Sequence, residues 1–224
     1  MPSLVIADDH PLFRAALRAA AQDALAPAHI AEAADLPAAL ATLADTTDAD
    51  LILLDLNMPG SHGLSGLACV RGQFPAVAVL VVSAHDDPRI VRRVLDHGAA
   101  GFVSKGAPSG EIAQAIRCVL DGGQWVPPHL AAAVAALPAD AGERALAARL
   151  ARLTEQQSRV LALVADGLLN KQIADRLAIQ ERTVKAHLTA IFERLGVRNR
   201  TQASGLLRAL DLADGTGARF DPAH

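Results

Sequence analysis

A chain of 224 residues, 51% hydrophobic and 20% charged, has room for one large or two modest domains and enough apolar side chains for a real core. Its two cysteines, Cys69 and Cys118, lack CxxC spacing, which disfavours a disulfide framework or cysteine metal centre; no apolar run nears the ~20 residues of a membrane span, and Met1-Pro2-Ser3-Leu4 opens no signal peptide, so a reduced, cytoplasmic location is expected. The net charge of −3 is uneven: residues 1–121 hold 14 acids and 8 bases, residues 154–210 hold 5 acids and 9 bases, which suggests a metal or phosphate site joined to a polyanion binder.

Strand-like and helix-periodic segments alternate up to residue 121: strand 4–8, helix 11–24, strand 29–33, helix 36–45, strand 50–55, helix 64–73, strand 77–83, helix 87–97, strand 101–104 and helix 109–121. Five such units predict an α/β fold, a five-stranded doubly wound parallel sheet. Right-handed crossovers bring the C-terminal ends of all its strands to one edge. Gly122-Gly123 stops the last helix, and residues 122–153, interrupted by Pro138 and Gly142, read as a linker with one or two short helices. Thr154-Glu155-Gln156-Gln157 fits a capping box. Helices at roughly 155–166, 171–177, 181–195 and 200–210 follow it, forming a small all-α helix-turn-helix domain over 154–210, and residues 211–224 read as a disordered tail.

The strand ends carry the chemistry. Leu4-Val5-Ile6-Ala7 runs into Asp8-Asp9, Leu51-Ile52-Leu53-Leu54 into Asp55, Ala78-Val79-Leu80-Val81-Val82 into Ser83, and Gly101-Phe102-Val103-Ser104 into Lys105. Ligands bind at this edge of an α/β sheet. Asp8, Asp9 and Asp55, with the backbone carbonyl of Asn57, supply the oxygen ligands that Mg²⁺ takes. Asp55 is the candidate nucleophile toward phosphorus, Lys105 the cation for the phosphoryl oxygens, and Ser83 a hydrogen-bond donor to the bound group. Each residue alone has a plainer reading, as a helix cap, a turn residue or a solvated charge. Their joint occurrence in order, each at a strand end, favours the phosphoryl site.

Asp8-Asp9, Asp55-Leu56-Asn57-Met58-Pro59-Gly60, Ser83-Ala84 and Gly101-Phe102-Val103-Ser104-Lys105 resemble the receiver domain of a two-component response regulator over residues 1–121. The resemblance implies a flavodoxin-like sheet, phosphorylation of Asp55 by a partner histidine kinase, and Mg²⁺ held chiefly by Asp9 and Asp55. It also implies a switch in which the Phe102 ring turns inward as Ser83 moves toward the phosphate. Asn57 and His85 would flank the acyl phosphate and tune its hydrolysis. Lys105 is followed by Gly106-Ala107-Pro108 where such domains often have an immediate proline.

In the helix 181–195, Val184, Leu188, Ile191, Phe192 and Leu195 form one apolar stripe. Arg182, Ala186, Thr189, Ala190 and Glu193 lie opposite, flanked by Lys185 and His187. This face of small and basic residues suits a major groove. Thr183-Val184-Lys185-Ala186-His187, Leu195-Gly196-Val197 and Asn199-Arg200-Thr201-Gln202-Ala203 resemble the LuxR-type helix-turn-helix, so the whole chain is similar to NarL/FixJ-family transcriptional regulators. That resemblance implies phosphate contacts from Thr183 and Arg200, base readout by Lys185, Ala186 and Thr189, and His187 near the DNA backbone. It further implies a homodimer on double-stranded promoter DNA, paired through 201–210, with RNA polymerase as a further partner. Gln157 replaces a usual Glu, and Gln180 a usual Ser or Thr cap of the recognition helix.

A hydrolase of the haloacid dehalogenase type also combines Asp, hydroxyl, Lys and Mg²⁺. It requires a second acid two residues after the nucleophile, where this chain has Asn57, so turnover catalysis is disfavoured. A receiver that accepts no phosphate is disfavoured by the intact set of Asp8, Asp9, Asp55, Ser83 and Lys105.

Overall fold

Strand propensity and helix periodicity resolve into sixteen elements in a computed structural model that describes residues 1–25, 28–46 and 48–211. The first ten are β1 (Ser3–Ala7), α1 (Pro11–Ala24), β2 (His29–Ala33), α2 (Leu36–Asp45), β3 (Leu51–Asp55), α3 (Leu64–Gln73), β4 (Ala78–Ser83), α4 (Pro88–Asp96), β5 (Gly101–Ser104) and α5 (Ser109–Leu120). The strands form one parallel sheet in the order β2-β1-β3-β4-β5. The order reverses between β1 and β3, the topological switch point where a doubly wound sheet opens a crevice.

Period-two alternation buries both faces. Val5, Ala7, Ile52, Leu54, Val79, Val81 and Phe102 join one apolar cluster, covered by residues of α2, α3 and α4. Leu4, Ile6, Leu51, Leu53, Leu80, Val82 and Val103 join the other, under α1 and α5. Each such side chain contributes roughly 1.5–3 kcal/mol on burial, and parallel strands covered on both faces have this near-continuous apolar character. The free edge of β5 is covered by the chain after α5, since the Phe102 amide donates to the Trp125 carbonyl at 3.0 Å. Gly101 permits this approach: a Cβ there would lie 2.8 Å from the Trp125 oxygen.

The remaining elements are α6 (Pro128–Ala136), α7 (Ala141–Leu150), α8 (Glu155–Ala165), α9 (Asn170–Leu177), α10 (Glu181–Leu195) and α11 (Arg200–Leu210). The expected linker therefore holds two helices, α6 against α4 and α7 against α3 and α4. Leu150, Leu153, Val160, Leu161, Leu206 and Leu207 continue the α2–α4 apolar cluster into the C-terminal helices. Thr154 and Gln157 form the reciprocal capping box, Thr154 Oγ1 accepting at 3.3 Å and Gln157 Oε1 at 3.1 Å. Helix α10 has Gln180 at its N-cap with no side-chain cap, and Gly196 at φ 72° ends it in the left-handed conformation.

Most element ends shift by at most one residue from the sequence-based expectation. Asp8 is outside β1 rather than within it: its carboxylate accepts from the His10 amide at 2.8 Å, which turns the chain toward α1. The expected disordered tail falls, past Asp211, outside the described residues.

Candidate functional site

Three strand ends fold into the same local device. Asp8 Oδ1 accepts from the amide of His10, Asp55 Oδ1 from that of Asn57 at 3.1 Å, and Ser83 Oγ from that of His85 at 3.2 Å. Each side chain thus closes a turn over the amide two residues on, which fixes its direction and leaves the second carboxylate oxygen of each acid free to point into the crevice. The turn-residue reading therefore holds at all three positions, and the same turns set these side chains at the crevice mouth. Asp8 is 0% exposed, and Asp55 and Ser83 are 1% exposed.

Lys105 follows β5 and reaches across β4 to the acids, its ammonium 2.7 Å from Asp8 Oδ2 and 2.8 Å from Asp55 Oδ2. Burial alone would lower its pKa; hydrogen bonds and charge from the two carboxylates outweigh that and raise it above the ordinary lysine value. Its ammonium also lies 5.0 Å from the centre of the Phe13 ring. His10, Leu12, Phe13, Asp55, Asn57, Ala84 and Lys105 line an open cleft of about 490 Å³.

Ligand atoms of Asp8, Asp9, His10 and Asp55 all lie within 4.8 Å of one another. Asp8 Oδ2 and Asp9 Oδ1 are buried, and each faces a nitrogen, Lys105 Nζ at 2.7 Å and His10 Nδ1 at 2.6 Å. Such a set of clustered carboxylate oxygens fits a hard divalent cation. His10 was not among the sequence-based candidates; its place beside the acid pair, directly before the Pro11 that starts α1, is the signal that pointed to it.

Of the other expected residues, Asn57 lines the cleft, whereas His85 is exposed beyond Ser83. Phe102 is fully buried, in one apolar cluster with Val79, Val81, Val91, Val94 and Leu95.

On α10, Val184, Leu188, Ile191 and Leu195 are buried and Phe192 half-buried, while Arg182, Lys185, Ala186, Thr189 and Glu193 are exposed, as the stripe predicts. Thr183 and His187 are half-buried on the flanks. Lys185 pairs with Glu181 at 3.0 Å, and Thr189 Oγ1 donates to the Lys185 carbonyl at 3.1 Å. Both are exposed contacts of the kind worth less than about 1 kcal/mol, easily exchanged for a ligand. Arg200 departs from the expected picture: its guanidinium caps the end of α8, donating to the Leu168 and Val164 carbonyls and to Asn170 Oδ1.

The two units also meet through charge. Arg93 and His97 of α4 both hold Glu143 of α7, Asp96 accepts from the Asp140 amide, and His62 lies 3.4 Å from Asp166. None of these residues belongs to a motif, and sequence reasoning did not single them out. Among the described residues no helix is long and apolar enough to cross a membrane.

Comparison with known proteins agrees with this geometry. Residues 4–117 match the model of the response regulator receiver domain, and residues 151–206 match that of the bacterial regulatory proteins of the luxR family. The glycerol metabolism activator of Pseudomonas putida is 42% identical over 210 residues, covering 91% of this chain and 93% of that protein. The probable transcriptional regulatory protein NarL of Mycobacterium tuberculosis is 37% identical over 202 residues, covering 89% and 90%. RcsB of Salmonella enterica serovar Typhimurium, solved bound to promoter P1flhDC, has the same fold at TM-score 0.56 and 24% identity, covering 93% of this chain and 98% of that one. With a receiver unit, a LuxR-type DNA-binding unit and full-length relatives of this kind, the chain belongs to the NarL/FixJ-type response regulators, which are regulators of transcription and not turnover enzymes.

Proposed function

We propose that Asp55 accepts a phosphoryl group from a partner histidine kinase and that the modified chain controls promoter binding through α10. The single observation that carries this reading is the buried pair of Asp55 and Lys105, with Asp8 beside it, at the mouth of an open cleft. One Asp55 carboxylate oxygen attacks phosphorus; an O–P bond forms as the donor's N–P bond breaks, and the electron pair leaves on the donor imidazole. Lys105 neutralises charge on the transferred oxygens, and Ser83 turns its hydroxyl from the His85 amide to a phosphoryl oxygen.

Asp8, Asp9 and Asp55, with the Asn57 carbonyl, would hold Mg²⁺. When bound, the ion stabilises negative charge on the phosphoryl group. Without it, the Lys105 ammonium supplies the positive charge that faces the acids, and His10 Nδ1 lies beside Asp9.

The modified Asp55 draws Ser83 toward the phosphoryl group, the Phe102 ring turns inward behind it, and the β4–α4 connection shifts with them. Changed domain contacts or dimerisation through α11 then free α10 for DNA. There Lys185, Ala186 and Thr189 read base edges, and Arg182, Thr183 and His187 lie against the backbone. Arg200 joins the phosphate contacts only once it leaves the carbonyls it now caps. Binding as a homodimer to double-stranded DNA, with RNA polymerase as a further partner, completes the reading.

The test is acetyl phosphate with Mg²⁺, followed by DNA affinity. Transfer to the wild type but not to Asp55→Asn, with tighter promoter binding only in the labelled protein, supports the reading; labelling of both forms overturns it.

A further inference from the structure

Helix α4 presents two pairs of residues one turn apart, Arg92 with Asp96 and Arg93 with His97, and of these Arg93, Asp96 and His97 meet the linker helix α7. Arg93 Nε donates to Glu143 Oε1 at 3.0 Å, and His97 Nε2 lies 2.7 Å from Glu143 Oε2, so α4 grips both oxygens of one carboxylate. Arg93 also donates through Nη2 to the Ala209 carbonyl at 2.7 Å, in the last turn of α11. Asp96, 6% exposed, accepts from the Asp140 amide at the start of α7 at 3.0 Å, and Arg144 stands 3.5 Å from the same carboxylate.

We propose that Glu143, held by Arg93 and His97, is the latch that keeps the C-terminal helices docked on the unphosphorylated receiver. Three features make it a latch rather than a static brace. Arg93 joins three elements at one point, the receiver's α4, the linker's α7 and the end of α11, so one displacement breaks both of its links. Helix α4 begins at Pro88, five residues after Ser83, so movement of Ser83 is delivered directly to Arg93 and His97. The Arg93–Glu143 pair is charged and about one-fifth exposed: strong while aligned, yet both groups regain water once the helices part. While it is closed, α11 packs on α3 and Leu207 lies beside Leu36, Gly60 and Cys69, so that side of α11 is withheld from a second copy. At the other end of that contact, a Cβ at Gly63 would sit 2.1 Å from the Leu210 carbonyl, so α11 lies as close to the receiver backbone as the chain allows.

The inference rests on the proposed signalling only for its trigger, and its test uses the unphosphorylated full chain, so a failure of phosphoryl transfer and a failure of the latch give separate results. Cys69 is the reporter. It is 4% exposed on α3, and Leu150, Leu153, Ser158, Leu161 and Leu207 lie around the gap beside it. Cys118 on α5 is half-buried, away from that interface, and serves as control.

The rate of iodoacetamide labelling is measured at each thiol in wild type, Glu143→Arg, and Glu143→Arg with Arg93→Glu. The latch predicts at least tenfold faster Cys69 labelling in Glu143→Arg with Cys118 unchanged, tighter DNA binding without phosphate, and return of the Cys69 rate to within about threefold of wild type in the charge-swapped double variant. Cys69 labelling within twofold of wild type in Glu143→Arg would overturn the proposal. So would equal acceleration at both thiols, which reports general loosening, or a double variant as fast as the single one.

Discussion

The Lys105 ammonium, carried on the far side of β4, donates to Asp55 Oδ2 at 2.8 Å. The same nitrogen stands 2.7 Å from Asp8, so one cation balances two carboxylates that are both essentially inaccessible to water. Removing it leaves like charges buried together, and the side chain is only 18% exposed, so screening is incomplete. Lys105→Met is therefore expected to lose about 2 kcal/mol of stability, the lower end for a broken buried pair after allowance for solvent at the ammonium. Saturating Mg²⁺ should restore more of that loss in the variant than it adds to the wild type. Urea unfolding with and without Mg²⁺ measures both quantities.

Gln180 opens α10 without a side-chain cap. Gln180→Ser supplies the missing acceptor for the first-turn amides and is expected to stabilise the C-terminal unit by about 1 kcal/mol. The midpoint of thermal unfolding, followed by helical circular dichroism, should rise.

Lys185 is exposed on the face of α10 opposite its buried stripe, held only by Glu181. Lys185→Ala should weaken binding to the cognate promoter by about 1–3 kcal/mol, as loss of a base-edge contact does, with little change in unfolding. For the wild type, affinity should fall steeply with salt because several phosphate contacts release counterions. Gel-shift titrations across a salt series give both results.

Glu143 titrates below the ordinary carboxylate value of 4.5: burial alone would raise it, but the hydrogen bond from His97 and the charge of Arg93 prevail. A depressed carboxylate stabilises the docked state fully above its ordinary value, and that contribution fades as pH falls through the lowered one. Small-angle scattering should show the wild type expanding below pH 4.5 before the receiver itself unfolds, whereas Glu143→Gln should already be expanded at neutral pH and change less on acidification.

Much of this could be read along the chain. Each apolar run ends in the residue that later meets its partners, because parallel strands joined by right-handed crossovers align their C-terminal ends. The registers Ala7 with Leu54, Asp55 with Val82 and Ser83 with Ser104 place Asp8, Asp55, Ser83 and Lys105 at one level. The stripe of α10 was equally legible, since period and burial coincide from Val184 to Leu195. The contacts of Arg93, His97 and Glu143 were not. A charged residue on a helix surface reads as solvated until a second helix docks on it, and docking is a long-range property that local pattern does not encode. Arg200 illustrates the same limit, because the carbonyls it caps lie more than thirty residues away.

The central claim is that Asp55 is the acceptor and that its modification governs DNA binding. Intact-mass spectrometry after incubation with acetyl phosphate and Mg²⁺, paired with promoter affinity on the same samples, tests it most directly. The account predicts one added phosphoryl group on the wild type, none on Asp55→Asn, and tighter promoter binding only where the group is present. Equal labelling of the two proteins, or a labelled wild type whose promoter affinity is unchanged, would contradict it.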